Sequence, residues 1–265
     1  MGEYRIEGEN MIGVILSAGM GTRLMPLTKE IPKPLLEINA MTLLERMMKN
    51  LMSEDIKDFI VIVGYNKDKV IDLAPKLEEK YSINIKILEN EKYDVTNTSV
   101  STYIASRYIE DKKPDDFILI NGDNVVDPKI ITRIAERKNT SLIVDNFKNL
   151  NEESFKLIIE DETFNNDKSI AKGTIAEIGK EIDIASSTGE FIGVSMVVKK
   201  DLVKFNEILE ELIEEDKQNY YDFAYRPLSK ITPIDFVLTN GLKWTEIDDH
   251  NDWQQAQKLI DEFEN

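Results

Sequence analysis

The stretch LSAGMGTRLMPLTKEIPKPLLEI, residues 16–38, sets two glycines, an arginine, two lysines and three prolines between two apolar runs. The preceding run, MIGVILS (11–17), is short, apolar and β-branched, and reads as a buried strand. A loop leaving such a strand in an open α/β sheet stands where ligands bind. Gly19 and Gly21 let the backbone turn sharply and approach a ligand. Successive N–H groups of such a loop form a nest for phosphate oxygens. Arg23 offers a planar fork for phosphate, and Lys33 a compact charge whose location Pro32 and Pro34 restrict. The loop is no dinucleotide fingerprint, because Arg23 and Leu24 stand near the place of a third glycine. Without Gly-Lys-Ser/Thr it is no Walker loop either.

Outward from this loop, helical and strand periodicities alternate. MTLLERMMKNLMSE reads as helix, DFIVIVGY as strand, KDKVIDLAPKLEEKY as helix and INIKILEN as strand. NTSVSTYIASRYIED follows as a helix capped at Asn97 or Thr98, then DFILINGDN as a buried strand. Continuous apolar strands alternating with helices through residue 145 predict an α/β, Rossmann-like doubly wound, mainly parallel sheet flanked by helices. The second half is β-rich: SFKLIIED, GTIAEIGKEI and EFIGVSMVVKK read as antiparallel additions, with helices near 201–215 and 220–230. Strands IDFVLTN and KWTEID and a closing helix follow. No linker or repeat interrupts the chain. The expected organisation is an N-terminal extension, 1–10, and one domain, 11–265, with a nucleotide-binding half (11–145) and an acceptor-binding half (146–265).

Composition narrows the function. A chain of 265 residues with 42% hydrophobic and 31% charged residues folds around a sizeable core. No cysteine and one histidine, His250, exclude thiolate and multi-histidine metal sites. The net charge of −17 argues against nucleic acid and anionic membrane as partners. No apolar run reaches the roughly 18–20 residues of a membrane span, and MGEYRIEGEN lacks the pattern of a signal peptide, so a cytoplasmic location is expected. In so acidic a chain, Arg23 and Lys33 in one glycine-bearing loop are the informative cations.

The longer pattern, strand–AGMGTRL–PLT–PKPLL, resembles the signature of the sugar-nucleotide pyrophosphorylase, or nucleotidyltransferase, superfamily. Within it the chain is most similar to the small cytidylyltransferases that activate phosphocholine, 2-aminoethylphosphonate and similar phosphorylated alcohols. Ser17 departs from the commoner alanine. The resemblance implies that Leu16, Ala18, Gly19, Gly21 and Thr22 hold the nucleotide. It makes Arg23 the partner of the triphosphate and Lys33 that of the α-phosphate and the incoming phosphate. Both roles agree with a transfer driven by positioning and charge stabilisation.

NEKYDVTNTSVSTYI (90–104) resembles the cytidylyltransferase form N-x-K-Y-x-x-x-N-N-x-x-S-x-Y, which brings Asn90, Asn97, Thr98 and Ser101 to the nucleotide. Thr98 stands where a second asparagine is frequent, and a helix cap is the competing role of Asn97. In FILINGDNVVD, Asp123 resembles the strand-terminal metal aspartate. In KWTEIDDHNDW, Asp248 resembles the second metal ligand, with Glu246 assisting, so Mg²⁺ is the implied cofactor. Asp248, Asp249 and Asn251 are also candidates to start the last helix. Lys180 matches a lysine that contacts the acceptor phosphate, with Lys156 a weaker candidate. Glu190 in GEFIGV, and Tyr221 and Asp222 in NYYDFAYRPL, are the candidate acceptor-binding residues. Aromatics beside a carboxylate suit an ammonium group, although aromatics at helical spacing also build cores.

The expected reaction is transfer of a cytidylyl group from CTP to a phosphorylated small alcohol, phosphocholine or a similar aminoalkyl phosphate or phosphonate. Two alternatives stay open. One is a sugar-1-phosphate uridylyl-, thymidylyl- or guanylyltransferase, and the other a non-catalytic regulatory protein of the same fold. A homo-oligomer is compatible with the sequence.

Overall fold

Six apolar or glycine residues followed by Ser17 make a strand with no polar face, and β1 (Met11–Ser17) is buried along its whole length. The computed structural model describes residues 11–264, so the expected extension, 1–10, lies outside the described residues. After the loop come β2 (Glu37–Ile38), β3 (Met41–Thr42), α1 (Leu43–Met52), β4 (Asp58–Val63), α2 (Lys67–Tyr81) and β5 (Asn84–Glu89). Then follow α3 (Thr98–Lys112), β6 (Asp116–Asn121), β7 (Asn124–Val126), α4 (Pro128–Ala135) and β8 (Thr140–Asp145). The second half holds β9 (Lys156–Phe164), β10 (Ile170–Gly179), β11 (Gly189–Val197), α5 (Leu202–Glu215) and α6 (Tyr225–Ser229). It closes with β12 (Ile234–Leu238), β13 (Trp244–Glu246) and α7 (His250–Glu264).

Nine strands form one sheet in the order β5-β4-β1-β6-β11-β8-β12-β10-β9. The first four are mutually parallel, and β11 enters antiparallel between β6 and β8. β8 pairs parallel with β12, and β10 and β9 complete the sheet antiparallel. Helices cover both faces: α1, α2, α4 and α7 pack on one apolar cluster, and α3, α5 and α6 on the other. The doubly wound expectation holds, with parallel pairing concentrated in the first half and antiparallel pairing in the second.

Two local readings differ from the sequence. β5 is an edge strand with partial and alternating exposure, because among the described residues no strand lies beyond it. The helix expected at 220–230 is a 3₁₀ turn (Tyr221–Ala224) followed by the five-residue α6. Pro227 falls in the first turn of α6, where a missing N–H is tolerated.

Gly122 follows β6 at the sheet's ligand-binding end. A Cβ there would lie 2.2 Å from the Leu16 carbonyl oxygen and 2.9 Å from Pro34 Cγ. Only glycine lets this corner close against β1 and the lysine-bearing loop. Gly122→Ala is expected to destabilise the protein by about 1–3 kcal/mol, as an overpacked buried contact does. Urea unfolding of wild type and variant checks it.

Candidate active site

A cavity of about 840 Å³ opens at the ends of β1 and β6. Its lining includes Leu16, Ala18, Gly19, Arg23, residues of the 90–101 segment, Asp123 and Asp248. Lys180, Glu190 and Asp222 line the same cavity.

A short ladder brings the carboxylates together across the sequence. β7 pairs antiparallel with β13, Asn124 opposite Glu246, and Ile247 N donates to Asp123 O at 3.0 Å. Asp123 directly precedes one strand of this ladder and Asp248 follows the other by two residues, so the two converge. Asp249 does the capping at α7: its Oδ1 accepts from Asn251 N and Asp252 N, and Asp252 Oδ2 accepts from Asp248 N and Asp249 N. That leaves the Asp248 carboxylate for the cavity.

Lys33 opens a 3₁₀ turn (Lys33–Leu35) fixed by Pro32 and Pro34. Its Nζ donates to Asp123 Oδ2 at 2.9 Å and to Asp248 Oδ1 at 3.0 Å. Arg23 Nη2 pairs with the other Asp248 oxygen at 2.9 Å. Burial alone would lower the Lys33 pKa, but Asp123 and Asp248 hold it above the usual value. Burial would likewise raise the Asp248 carboxyl, yet Lys33 and then Arg23 keep it low. Glu246, beside them, is pushed well above the usual range by burial and by Asp123, Asp248 and Glu190.

One small cation can span Asp123 and Asp248, since an oxygen of each lies about 3 Å from a single point, the Lys33 nitrogen. Oxygen donors suit Mg²⁺. Among the described residues no group of three or more acids or histidines gathers for a metal, so two carboxylates with water and phosphate oxygens would complete such a shell.

The glycine loop divides its work. Gly21 lies outside the cavity lining in the left-handed region at φ 60°, its Cα face packed on the Lys33 stem. Thr28 Oγ1 donates to its carbonyl at 2.7 Å. Thr22, expected at the nucleotide, also lies outside the lining, exposed at the start of a 3₁₀ turn (Thr22–Leu24) that buries Leu24 and lets Arg23 reach Asp248. In the 90–101 segment, Asn90 is buried and occupied internally: Nδ2 donates to Thr96 Oγ1 and Ser101 Oγ, and Oδ1 accepts from Lys92 N. Asn97 caps α3 and faces the cavity as well, its Oδ1 accepting from Thr98 N at 2.8 Å.

On the acceptor side the structure corrects two expectations. Tyr221 is fully buried in the core against Phe191 and Tyr225, since the 3₁₀ turn rotates it inward; Tyr220 lines the cavity instead. Lys156 is buried with its amine donating to the carbonyls of Asn151, Glu152 and Ser154, so it pins the 151–154 loop and does not face the cavity. Lys180 pairs with Glu153 at 2.9 Å. Glu190 is raised by burial, and its Oε2 carries no hydrogen bond. Sequence reasoning missed Lys148, 3.8 Å from Glu190 and 4.5 Å from the Trp244 ring centre. It also missed Asn151 and Glu153; NFKNLNEES has no periodicity that marks them. Lys148 is placed by Asp145, which accepts from Lys148 N and from Trp244 Nε1.

Residues 12–171 match the Nucleotidyl transferase family. The chain is 34% identical over 140 residues to the bifunctional protein GlmU of Methanococcus aeolicus, 53% of this chain and 29% of that protein. It is 35% identical over 114 residues to the choline-phosphate cytidylyltransferase of Streptococcus pneumoniae, 43% of this chain and 45% of that one. In both cases less than two thirds of the relative is spanned. The CTP:phosphoglutamine cytidylyltransferase of Campylobacter jejuni is 28% identical over 254 residues, 90% of this chain and 96% of that protein. The solved CTP:phosphocholine cytidylyltransferase of Streptococcus pneumoniae superposes with a TM-score of 0.72 at 22% identity, over 95% of this chain and 99% of that one, a likeness of fold.

Burial raises Asp222 to about 7 from an unfolded value near 3.8. The folded state then binds more protons than the unfolded state between these values, so this group erodes stability as pH rises through them. Asp222→Asn is expected to flatten the fall in stability between about pH 4 and pH 8. Urea midpoints across that range check it, and an unchanged slope removes Asp222 as the cause.

Proposed function

The chain belongs to the Nucleotidyl transferase family and is a nucleotidyltransferase, and on that premise we propose that it moves a cytidylyl group from CTP to a phosphorylated small alcohol. Phosphocholine or a similar aminoalkyl phosphate or phosphonate is the acceptor class, and pyrophosphate is released. The observation that carries this reading is the meeting of Lys33, Arg23, Asp123 and Asp248, the last three of which line the cavity while Lys33 reaches both carboxylates from beneath it. An acceptor oxygen bonds to the α-phosphorus as the bond to the bridging oxygen breaks, and the electron pair leaves with pyrophosphate.

Lys33 and Arg23 place positive charge where phosphate oxygens gather, and Lys180 does so on the acceptor side. Mg²⁺ held by Asp123 and Asp248 would add charge stabilisation on the phosphate oxygens. Leu16, Ala18, Gly19 and the 97–101 helix start form the nucleotide side. The cytidylyl choice is supported by similarity to the Campylobacter jejuni cytidylyltransferase over nearly the whole chain. Glu190, with its unbonded Oε2, and Asp222 support an acceptor whose far end donates hydrogen bonds or carries positive charge.

Pyrophosphate release measured with each nucleoside triphosphate and Mg²⁺, across a panel of acceptors, tests the reading. Turnover with CTP and an aminoalkyl phosphate is expected. Preference for UTP, dTTP or GTP with a hexose-1-phosphate replaces it, and nucleotide binding without turnover on any acceptor favours a regulatory protein.

Lys33→Ala is expected to lower kcat by about 100-fold or more in a folded protein, the scale of losing a charge aimed at the reacting phosphate. Asp123→Asn and Asp248→Asn are each expected to raise the Mg²⁺ concentration for half-maximal activity. An unchanged Mg²⁺ dependence removes the substituted residue from the metal site.

A further inference from the structure

Lys33 Nζ lies 2.9 Å from Asp123 Oδ2 and 3.0 Å from Asp248 Oδ1, between the two carboxylates that suit a divalent cation. Its side chain is 12% exposed, whereas those of Asp123 and Asp248 are 27% and 31% exposed on the cavity. The ammonium is therefore the covered member of the cluster and the carboxylates the open ones. The stem is held from several sides: prolines flank it, Gly21 packs on it, and Pro34 rests against Gly122. Arg23, 61% exposed, covers the remaining Asp248 oxygen. Two negative charges are thus satisfied internally by two positive ones while no phosphate is present.

We infer that Lys33 is a resident counter-ion that competes with the divalent cation for Asp123 and Asp248, so that a metal gains full access to them only when phosphate gives Lys33 another partner. The inference rests on the metal role of Asp123 and Asp248 proposed above, and adds a gate to it. One side chain then serves two states: it neutralises the carboxylates before the nucleotide arrives and meets phosphate afterwards. Like charges explain the exclusivity, because a divalent ion and an ammonium about 3 Å from the same carboxylate oxygens repel each other strongly. Lysine suits this exchange better than arginine, since its compact single-nitrogen charge changes partners without realigning a planar fork.

The test measures Mn²⁺ binding by electron paramagnetic resonance without nucleotide, in wild type, Lys33→Met, Lys33→Arg and Lys33→Met/Asp123→Asn. Lys33→Met is expected to bind Mn²⁺ at least ten-fold more tightly than wild type, and Lys33→Arg no more tightly than wild type. The double variant is expected to lose the gain. Equal affinity of Lys33→Met and wild type overturns the gate. A gain that survives in the double variant places the metal elsewhere and overturns the metal assignment itself. Should Lys33→Met fail to fold, ¹⁵N resonances of the wild-type lysine ammonium groups decide the matter. The Lys33 signal is expected to stay in place with Mg²⁺ alone and to move with Mg²⁺ and CTP together; movement with Mg²⁺ alone overturns the gate.

Discussion

The antiparallel pairing of β7 with β13 is the constraint on which the site depends. Without it, Asp123, near the middle of the chain, and Asp248, near its end, have no reason to meet. Three facing residue pairs and the Ile247–Asp123 backbone bond set their separation, and Lys33 enters from a third segment. The main sheet supplies the platform, since β6 delivers Gly122 against β1 and the lysine loop at once. The site is accordingly fixed by backbone geometry at its centre, and side-chain packing refines it from there.

That arrangement solves an electrostatic problem specific to this chain. With 50 acidic residues against 33 basic ones, the long-range field disfavours anionic ligands. The field of distant surface charges is screened within about 10 Å at moderate ionic strength, whereas charges at contact in a partly dry cavity are not. Lys33, Arg23 and Lys180 act at contact range. Their carboxylate partners, Asp248, Asp123 and Glu153, hold these cations in near-neutral pairs.

Features encoded locally could be read from the sequence, and those set by distant pairing could not. The glycine loop and the flanked lysine announce themselves by spacing, Asp123 is picked out by the family resemblance, and α2 falls where its periodicity put it. Asp248 was ambiguous because three neighbouring residues were plausible helix caps; a reciprocal pair of bonds, Asp249 with Asp252, resolves the choice. Tyr220 and Tyr221 could be told apart only by the phase of a 3₁₀ turn, which depends on how Tyr221 packs on Phe191. Lys156 misled because a buried lysine satisfied by three backbone carbonyls looks, in sequence, like any cation near a site.

The two sides of the cavity differ in how much of their polarity is already used. In the 90–101 segment, Asn90 donates to both Thr96 and Ser101, so this part of the lining is tied together by its own hydrogen bonds. Elsewhere in the lining, Glu190 Oε2 is buried without a hydrogen bond, with the Lys148 amine 3.8 Å away, and burial raises the Asp222 pKa. Groups left in that state are unfavourable until a partner arrives. A ligand that donates to them recovers that energy, and an isostere that cannot donate leaves the penalty in place.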